Sequence, residues 1–215
     1  MGPATLIRER PDVSEHVVAL TFDDGPAVWT DPILDTLRDA GVRATFFVIG
    51  DAIPGLEATL ARTVAEGHEV GNHTLTHPWL DLVETREEIE RELELASRAI
   101  EGVTGAAPAV FRPPGLRWSQ TVLEAAGACG FGWVVQASVW TDDYALDSPE
   151  PIVDAILGGV VPGAIIDLHD GRPPHEPKSA SREDRRPTVA AVETIVPALL
   201  RRGYRFLTVS ELLAI

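Results

Sequence analysis

The chain has 215 residues, enough for one domain with a substantial core. Hydrophobic residues make up 45% and charged residues 24%, which excludes a chain disordered along its whole length. Acidic side chains outnumber basic ones 33 to 18, and the resulting formal charge of −15 argues against nucleic acid or an anionic membrane surface as partner.

Residues 1–15 read as a polar, proline-containing lead-in without the apolar centre of a secretory leader. No stretch approaches the roughly 20 apolar residues of a membrane span, so a cytoplasmic protein is the simplest expectation, with a secreted protein trimmed of its leader as the alternative. Residues 16–22 (HVVALTF) predict a strand, and residues 31–40 a helix closed by Gly41. A second strand is predicted over 43–49 (RATFFVI), then a helix over 56–66 and a short strand over 69–72. Residues 84–100 predict the clearest helix, with Ile89, Leu93, Ala96 and Ile100 on one apolar stripe and glutamates mostly on a solvated face.

A short strand follows at 110–112, a helix at 120–128 and a strand at 132–135. The lone Cys129 excludes an intramolecular disulfide and reads as a small buried residue. Further on come a helix over 152–157, a buried-type strand over 164–168, a long helix over 188–202, a strand over 204–208 and a short terminal helix. Residues 171–187 (GRPPHEPKSASREDRRP) read as a surface loop placed to rim a site. Strand–helix alternation with short connections implies parallel strands and right-handed crossovers. About seven such units predict a single α/β domain over residues 1–215, a distorted (β/α) barrel.

In a parallel barrel the active face lies at the strand C-termini. Asp23-Asp24 follows the first predicted strand, His73 and His77 the third, Arg112 the fourth, Asp143 the fifth and His169-Asp170 the next. In TFDDGP (residues 21–26) the adjacent carboxylates repel, and an exit through Gly25-Pro26 can point one at a cation and leave the other as a base. Asp-Gly-Pro is also good turn chemistry, and the hexapeptide alone leaves both readings open. His73 and His77, four apart, would share one face of a helical turn. With Asp24 they would supply two nitrogens and one oxygen to a divalent metal, leaving positions for water and substrate. Zinc fits those donors, and cobalt, nickel and manganese fit them too. His16, His68 and His175 lack such company and read as structural or exposed.

These segments resemble the polysaccharide deacetylases, the NodB-homology group also called carbohydrate esterase family four. TFDDGP, the His-Thr-x-x-His segment, FRPPG (residues 111–115), the Asp143 region and LHD (residues 168–170) occur in the family's order and spacing, and residues 186–213 match its closing helix and strand. The resemblance implies a general base at Asp23, metal ligands at Asp24, His73 and His77, and a general acid at His169. It also implies that Arg112 orients the base and that Asp143 supports the acid. The substrate implied is an N-acetylated amino sugar or its oligomer; an O-acetyl esterase acting on xylan-type sugars would use the same site, and a non-catalytic sugar-binding protein would keep only the fold.

Three positions depart from the family's pattern. The tyrosine after the second proline is missing, so with Pro114 lacking an N–H, Gly115 becomes the candidate oxyanion donor. Tyr144 stands where tryptophan is usual. Asp167 stands where a leucine usually lines the pocket for the acetate methyl, and it is either paired structurally or in contact with a polar or cationic substrate group. Of the tryptophans, Trp29, Trp79 and Trp118 follow motifs and can border a saccharide groove, whereas Trp133 reads as core.

Overall fold

The computed structural model describes residues 2–83, 85–176 and 183–215. Its elements in order are β1 (Thr5–Ile7), β2 (Val17–Gly25), α1 (Thr30–Ala40), β3 (Thr45–Val48), α2 (Glu57–Ala65), β4 (Glu69–Asn72) and α3 (Arg86–Thr104). There follow α4 (Gln120–Ala128), β5 (Trp133–Val135), β6 (Val139–Trp140), α5 (Pro149–Gly159), β7 (Ala164–His169), α6 (Arg186–Arg201), β8 (Arg205–Leu207) and α7 (Val209–Leu213).

All ladders between these strands are parallel, in the order β4-β3-β2-β7-β6. β7 runs along one edge of β2, while β8 takes Val17–Ala19 and β3 takes Thr21–Gly25 of the other. Single bridges from Phe111 to Asn72 and to Val134 join β4 to β5, and β1 pairs β5. Beyond β1, Glu9 bridges Ala164 and the Arg10 N–H donates to the Gly163 carbonyl at 2.9 Å. That last link closes the ring, so the fold is the expected distorted (β/α) barrel.

Two expectations need correcting here. The lead-in contains β1, the strand that closes the barrel; three residues are too few for periodicity to reveal. The strand expected over 110–112 is a one-residue bridge at Phe111, and β6 adds a two-residue strand with no sequence signal.

Period-two alternation then separates outward-facing from inward-facing core residues. Val18, Leu20 and Phe22 of β2 face outward with Ile166 and Leu168 of β7, beneath the helices. Val17, Ala19 and Ile165 face inward with Phe47, Val110 and Val135, and Val209 and Leu212 of α7 close the bottom of the barrel. Thr21, Asp23, Asp167 and His169 continue the inward faces upward. Apolar packing therefore ends where the polar site begins.

The helix expected over 84–100 runs from Arg86 to Thr104. Thr85 and Glu88 form a capping box at its start, and Gly105 ends it at φ 77. Glu84 lies outside the described residues. The stripe Ile89, Leu93, Ala96 and Ile100 is fully buried as the spacing predicts. Ile100→Ala should cost about 2–5 kcal/mol, read as a lower urea midpoint at unchanged slope.

The expected surface loop over 171–187 is only partly one. Residues 177–182 lie outside the described residues, but Gly171, Pro173, Arg185 and Pro187 are buried, and α6 begins at Arg186. A side chain at Gly171 would meet the Asp24 carbonyl at 2.1 Å, so the chain passes directly under the site there. Among the described residues no helix is long and apolar enough to cross a membrane. Cys129 is half-buried rather than buried.

Candidate active site

Neighbouring residues on a regular strand point to opposite faces, so Asp23 and Asp24 could not both enter one site without a break. The break is visible: β2 shifts register against β3 between Asp23 and Gly25, and Asp24 adopts φ 73. This bulge turns both carboxylates toward the cavity. The pair therefore lies within the strand's end rather than after it.

His73 and His77 also converge by a route other than the one expected. They sit on an irregular loop after β4, not on a helical turn, with Thr74 at φ 69 and His77 at φ 64. Asn72 accepts from the Thr74 N–H at 2.8 Å, and the Thr74 hydroxyl accepts from the His77 N–H at 3.0 Å. Glu92 of α3 accepts from the N–H groups of Leu75 and Thr76, at 3.0 and 2.8 Å. These bonds hold the left-handed turns in place.

The triad's geometry fits a divalent cation. Asp24 Oδ1 lies 3.5 Å from His73 Nε2 and 3.2 Å from His77 Nε2. Ligand bonds of about 2.0–2.2 Å around one ion place neighbouring donors about 3.0–3.5 Å apart. Asp24 Oδ1 is buried and makes no hydrogen bond among the described residues. His73 Nδ1 donates to the Arg112 carbonyl at 2.8 Å, which leaves Nε2 as the ligating atom. Burial alone would raise the Asp24 carboxyl; the two imidazoles more than reverse this and hold it well below the ordinary range. Burial likewise works against the His73 imidazolium, but Asp23 and Asp24 outweigh it and raise its pKa. The cluster as a whole favours positive charge.

A second group, Asp23, Asp167 and His169, also brings donor atoms within 4.8 Å of one another. A protein cation already stands there: Arg112 Nη1 lies 2.8 Å from Asp23 Oδ1 and 2.9 Å from Asp167 Oδ1. Arg112 is fully buried, stacks 4.2 Å over the Phe47 ring and also donates to Thr21 Oγ1 at 2.6 Å. Burial and the neighbouring Asp23 push the Asp167 carboxyl up to about 7, against the pull of Arg112.

On the other side His169 Nδ1 donates to Asp143 Oδ1 at 2.7 Å, which leaves Nε2 to exchange a proton with a bound group. Asp143 Oδ2 accepts from the Thr188 hydroxyl at 2.7 Å and the His169 N–H at 3.1 Å, so the carboxylate is fixed from several sides. Burial opposes the His169 imidazolium, yet Asp143 raises its pKa well above the ordinary 6.5.

Asp23, Asp24, His73, His77, Trp79, Gly115, Tyr144, Asp167 and His169 line one cavity of about 310 Å³, with Arg112 and Asp143 behind it. Pro114 is buried and does not line it; Leu116 stands there instead, beside Gly115 at φ 60. The Leu116 and Arg117 N–H groups already donate, to Pro113 and Pro114, which leaves Gly115 as the amide donor the segment can offer. Trp79 is 55% exposed at the rim with Arg117 over its ring. Trp29 lines a neighbouring cavity, and Trp118 lines neither. His68 accepts from the Ala44 N–H in the core, while His175 pairs with Asp51 on the surface. Sequence reading missed Thr21 and Thr188; Thr21 could have been found, since it shares the inward face of Asp23 two residues on.

A family model for polysaccharide deacetylase matches residues 10–134. A chitooligosaccharide deacetylase of Bradyrhizobium sp. (strain ANU 289) is 43% identical over 201 residues, 92% of this chain and 91% of that protein. A peptidoglycan-N-acetylglucosamine deacetylase of Bacillus cereus is 35% identical over 206 residues, covering 93% and 89% of the two chains. Among solved structures, a peptidoglycan N-acetylglucosamine deacetylase in complex with 4-naphthalen-1-yl-N-oxidanyl-benzamide superposes with a TM-score of 0.86 at 32% identity, over 98% of this chain and 92% of that one.

Proposed function

The chain belongs to the polysaccharide deacetylase family, and from that premise we propose that it is a metal-dependent hydrolase removing N-acetyl groups from amino sugars or their oligomers and polymers. One observation carries the reading: a carboxylate held by an arginine and an imidazole held by a carboxylate share one cavity with a separate Asp/His/His triad. Hydrolysis of an amide needs a base for water, an acid for the departing nitrogen and charge stabilisation between them.

Asp24, His73 and His77 would hold the cation, which when bound supplies a Lewis acid and lowers the pKa of water. Zinc is the proposed ion because two imidazole nitrogens and a carboxylate oxygen suit it, with cobalt, nickel or manganese as substitutes. Asp23 takes the proton of the attacking water, and the Arg112 bond keeps its carboxylate aimed at the cavity. Nε2 of His169 protonates the leaving nitrogen. Gly115, which lines the cavity, would supply the N–H donor to the developing oxyanion, and the exposed Trp79 would stack on a sugar ring.

Acetate release from N-acetylglucosamine oligomers, peptidoglycan sugars and acetylated xylan, measured beside the metal content, tests the proposal. Chelation should reduce release to background, zinc should restore it, and thermal stability should fall with metal removal by about 2.7 kcal/mol at a hundredfold excess over Kd. Undiminished turnover after complete metal removal would sink the metal assignment. Release from acetylated xylan alone would move the activity to O-acetyl esters.

A further inference from the structure

One nitrogen of Arg112 serves three acceptors at once. Nη1 lies 2.6 Å from Thr21 Oγ1, 2.8 Å from Asp23 Oδ1 and 2.9 Å from Asp167 Oδ1. The Thr21 hydroxyl already donates to the Ile166 carbonyl at 2.6 Å, so it too must accept from Arg112. A guanidinium nitrogen carries two hydrogens, and here it faces three acceptors. The Asp167 carboxyl accepts from Arg112 through Oδ1.

That carboxyl is almost fully buried, and its remaining open side is the active cavity. Its oxygen lies within 4.8 Å of donor atoms of both Asp23 and His169. A carbonyl placed between that base and that acid would lie beside it. Of the substituents on the reacting carbon, the nitrogen goes to His169, the attacking water lies on the side of Asp23, and the oxygen goes to the stabilising donors. The acyl substituent is the group left to meet Asp167. A methyl there would bury a carboxyl against hydrocarbon, whereas a hydroxyl would donate a hydrogen bond to it.

We propose that Asp167 sets the acyl specificity of the site, favouring amino-sugar substrates whose N-acyl group bears a hydroxyl on the carbon beside the carbonyl, an N-glycolyl group, over the plain N-acetyl form. The inference rests on the deacylase reading above. The reaction is the same hydrolysis: the C–N bond breaks, a C–O bond forms from water, Asp23 takes one proton and His169 gives one to nitrogen. The products are the free amine and glycolate.

The test compares di-N-acetyl- and di-N-glycolyl-chitobiose as substrates of the metal-loaded full chain, reading kcat/KM for acetate and glycolate release. The wild-type ratio should favour glycolate, and Asp167→Leu should lower that ratio about tenfold, the worth of one hydrogen bond. Asp167→Asn, which can still donate and accept, should keep most of the preference. If Asp167→Leu does not fold, Asp167→Ala carries the same expectation. A wild-type enzyme that prefers acetyl, or a ratio indifferent to these variants, overturns the proposal while leaving the deacylase reading intact; a water completing the Asp167 bonding would give that result. Release of neither acid overturns both.

Discussion

Asp23→Asn should lower acetate release by about 10²–10⁴-fold without lowering the metal content of the protein, because in the proposed roles it removes a general base and no ligand. Asparagine matches aspartate in shape, and its carbonyl oxygen can still accept the 2.8 Å bond that Arg112 makes to Asp23 Oδ1. The cavity should therefore keep its form, and KM should change far less than kcat. Asp24→Asn, one residue on, should behave oppositely, since its buried Oδ1 belongs to the triad and its loss should deplete the metal. Kinetics and metal analysis on the same preparations separate the two carboxylates. A fully active Asp23→Asn would mean that another group activates the water.

That contrast marks where sequence reading reached its limit. The motif TFDDGP made two carboxylates visible but gave no reason why neighbours on a strand should share a site. The register shift and the φ of 73 at Asp24 supply it, and both depend on pairing with β3, a strand some twenty positions further along the chain. His73 and His77 show the same limit: the four-residue spacing suggested a helical turn, whereas Asn72 and Glu92 hold a left-handed loop that brings the rings together differently. Elements set by local pattern were legible, long or short; α4 and β4 fall on the expected residues. What was not legible depends on contacts distant in sequence, such as the closure of the barrel by β1 and Glu9. Asp167 was visible as a departure from the family pattern, and it both pairs with Arg112 and lines the cavity.

The acid side yields the other large effect. His169→Ala should lower amide turnover by about 10²–10⁴-fold and spare ester turnover more, because an alkoxide leaves with less protonation than an amine. Asp143→Asn isolates the electrostatic part. Burial works against the imidazolium, and the Asp143 carboxylate 2.7 Å away is what raises its pKa well above 6.5. Activity that needs protonated His169 is full at low pH on this limb and falls as pH rises through the raised value. Removing the carboxylate lets burial dominate, so the basic limb of kcat should move to lower pH, and the variant should lose most near neutrality and above.

Stability follows the same sign. The raised folded-state pKa means that the His169–Asp143 pair stabilises the protein fully below the unfolded-state value near 6.5 and loses that contribution as pH rises through the folded value. Asp143→Asn should therefore flatten the fall in stability on the alkaline side as well as shift the rate profile. A variant that lost activity with an unmoved basic limb would instead place Asp143 in a purely steric role, holding the His169 backbone N–H and the Thr188 hydroxyl that it also binds.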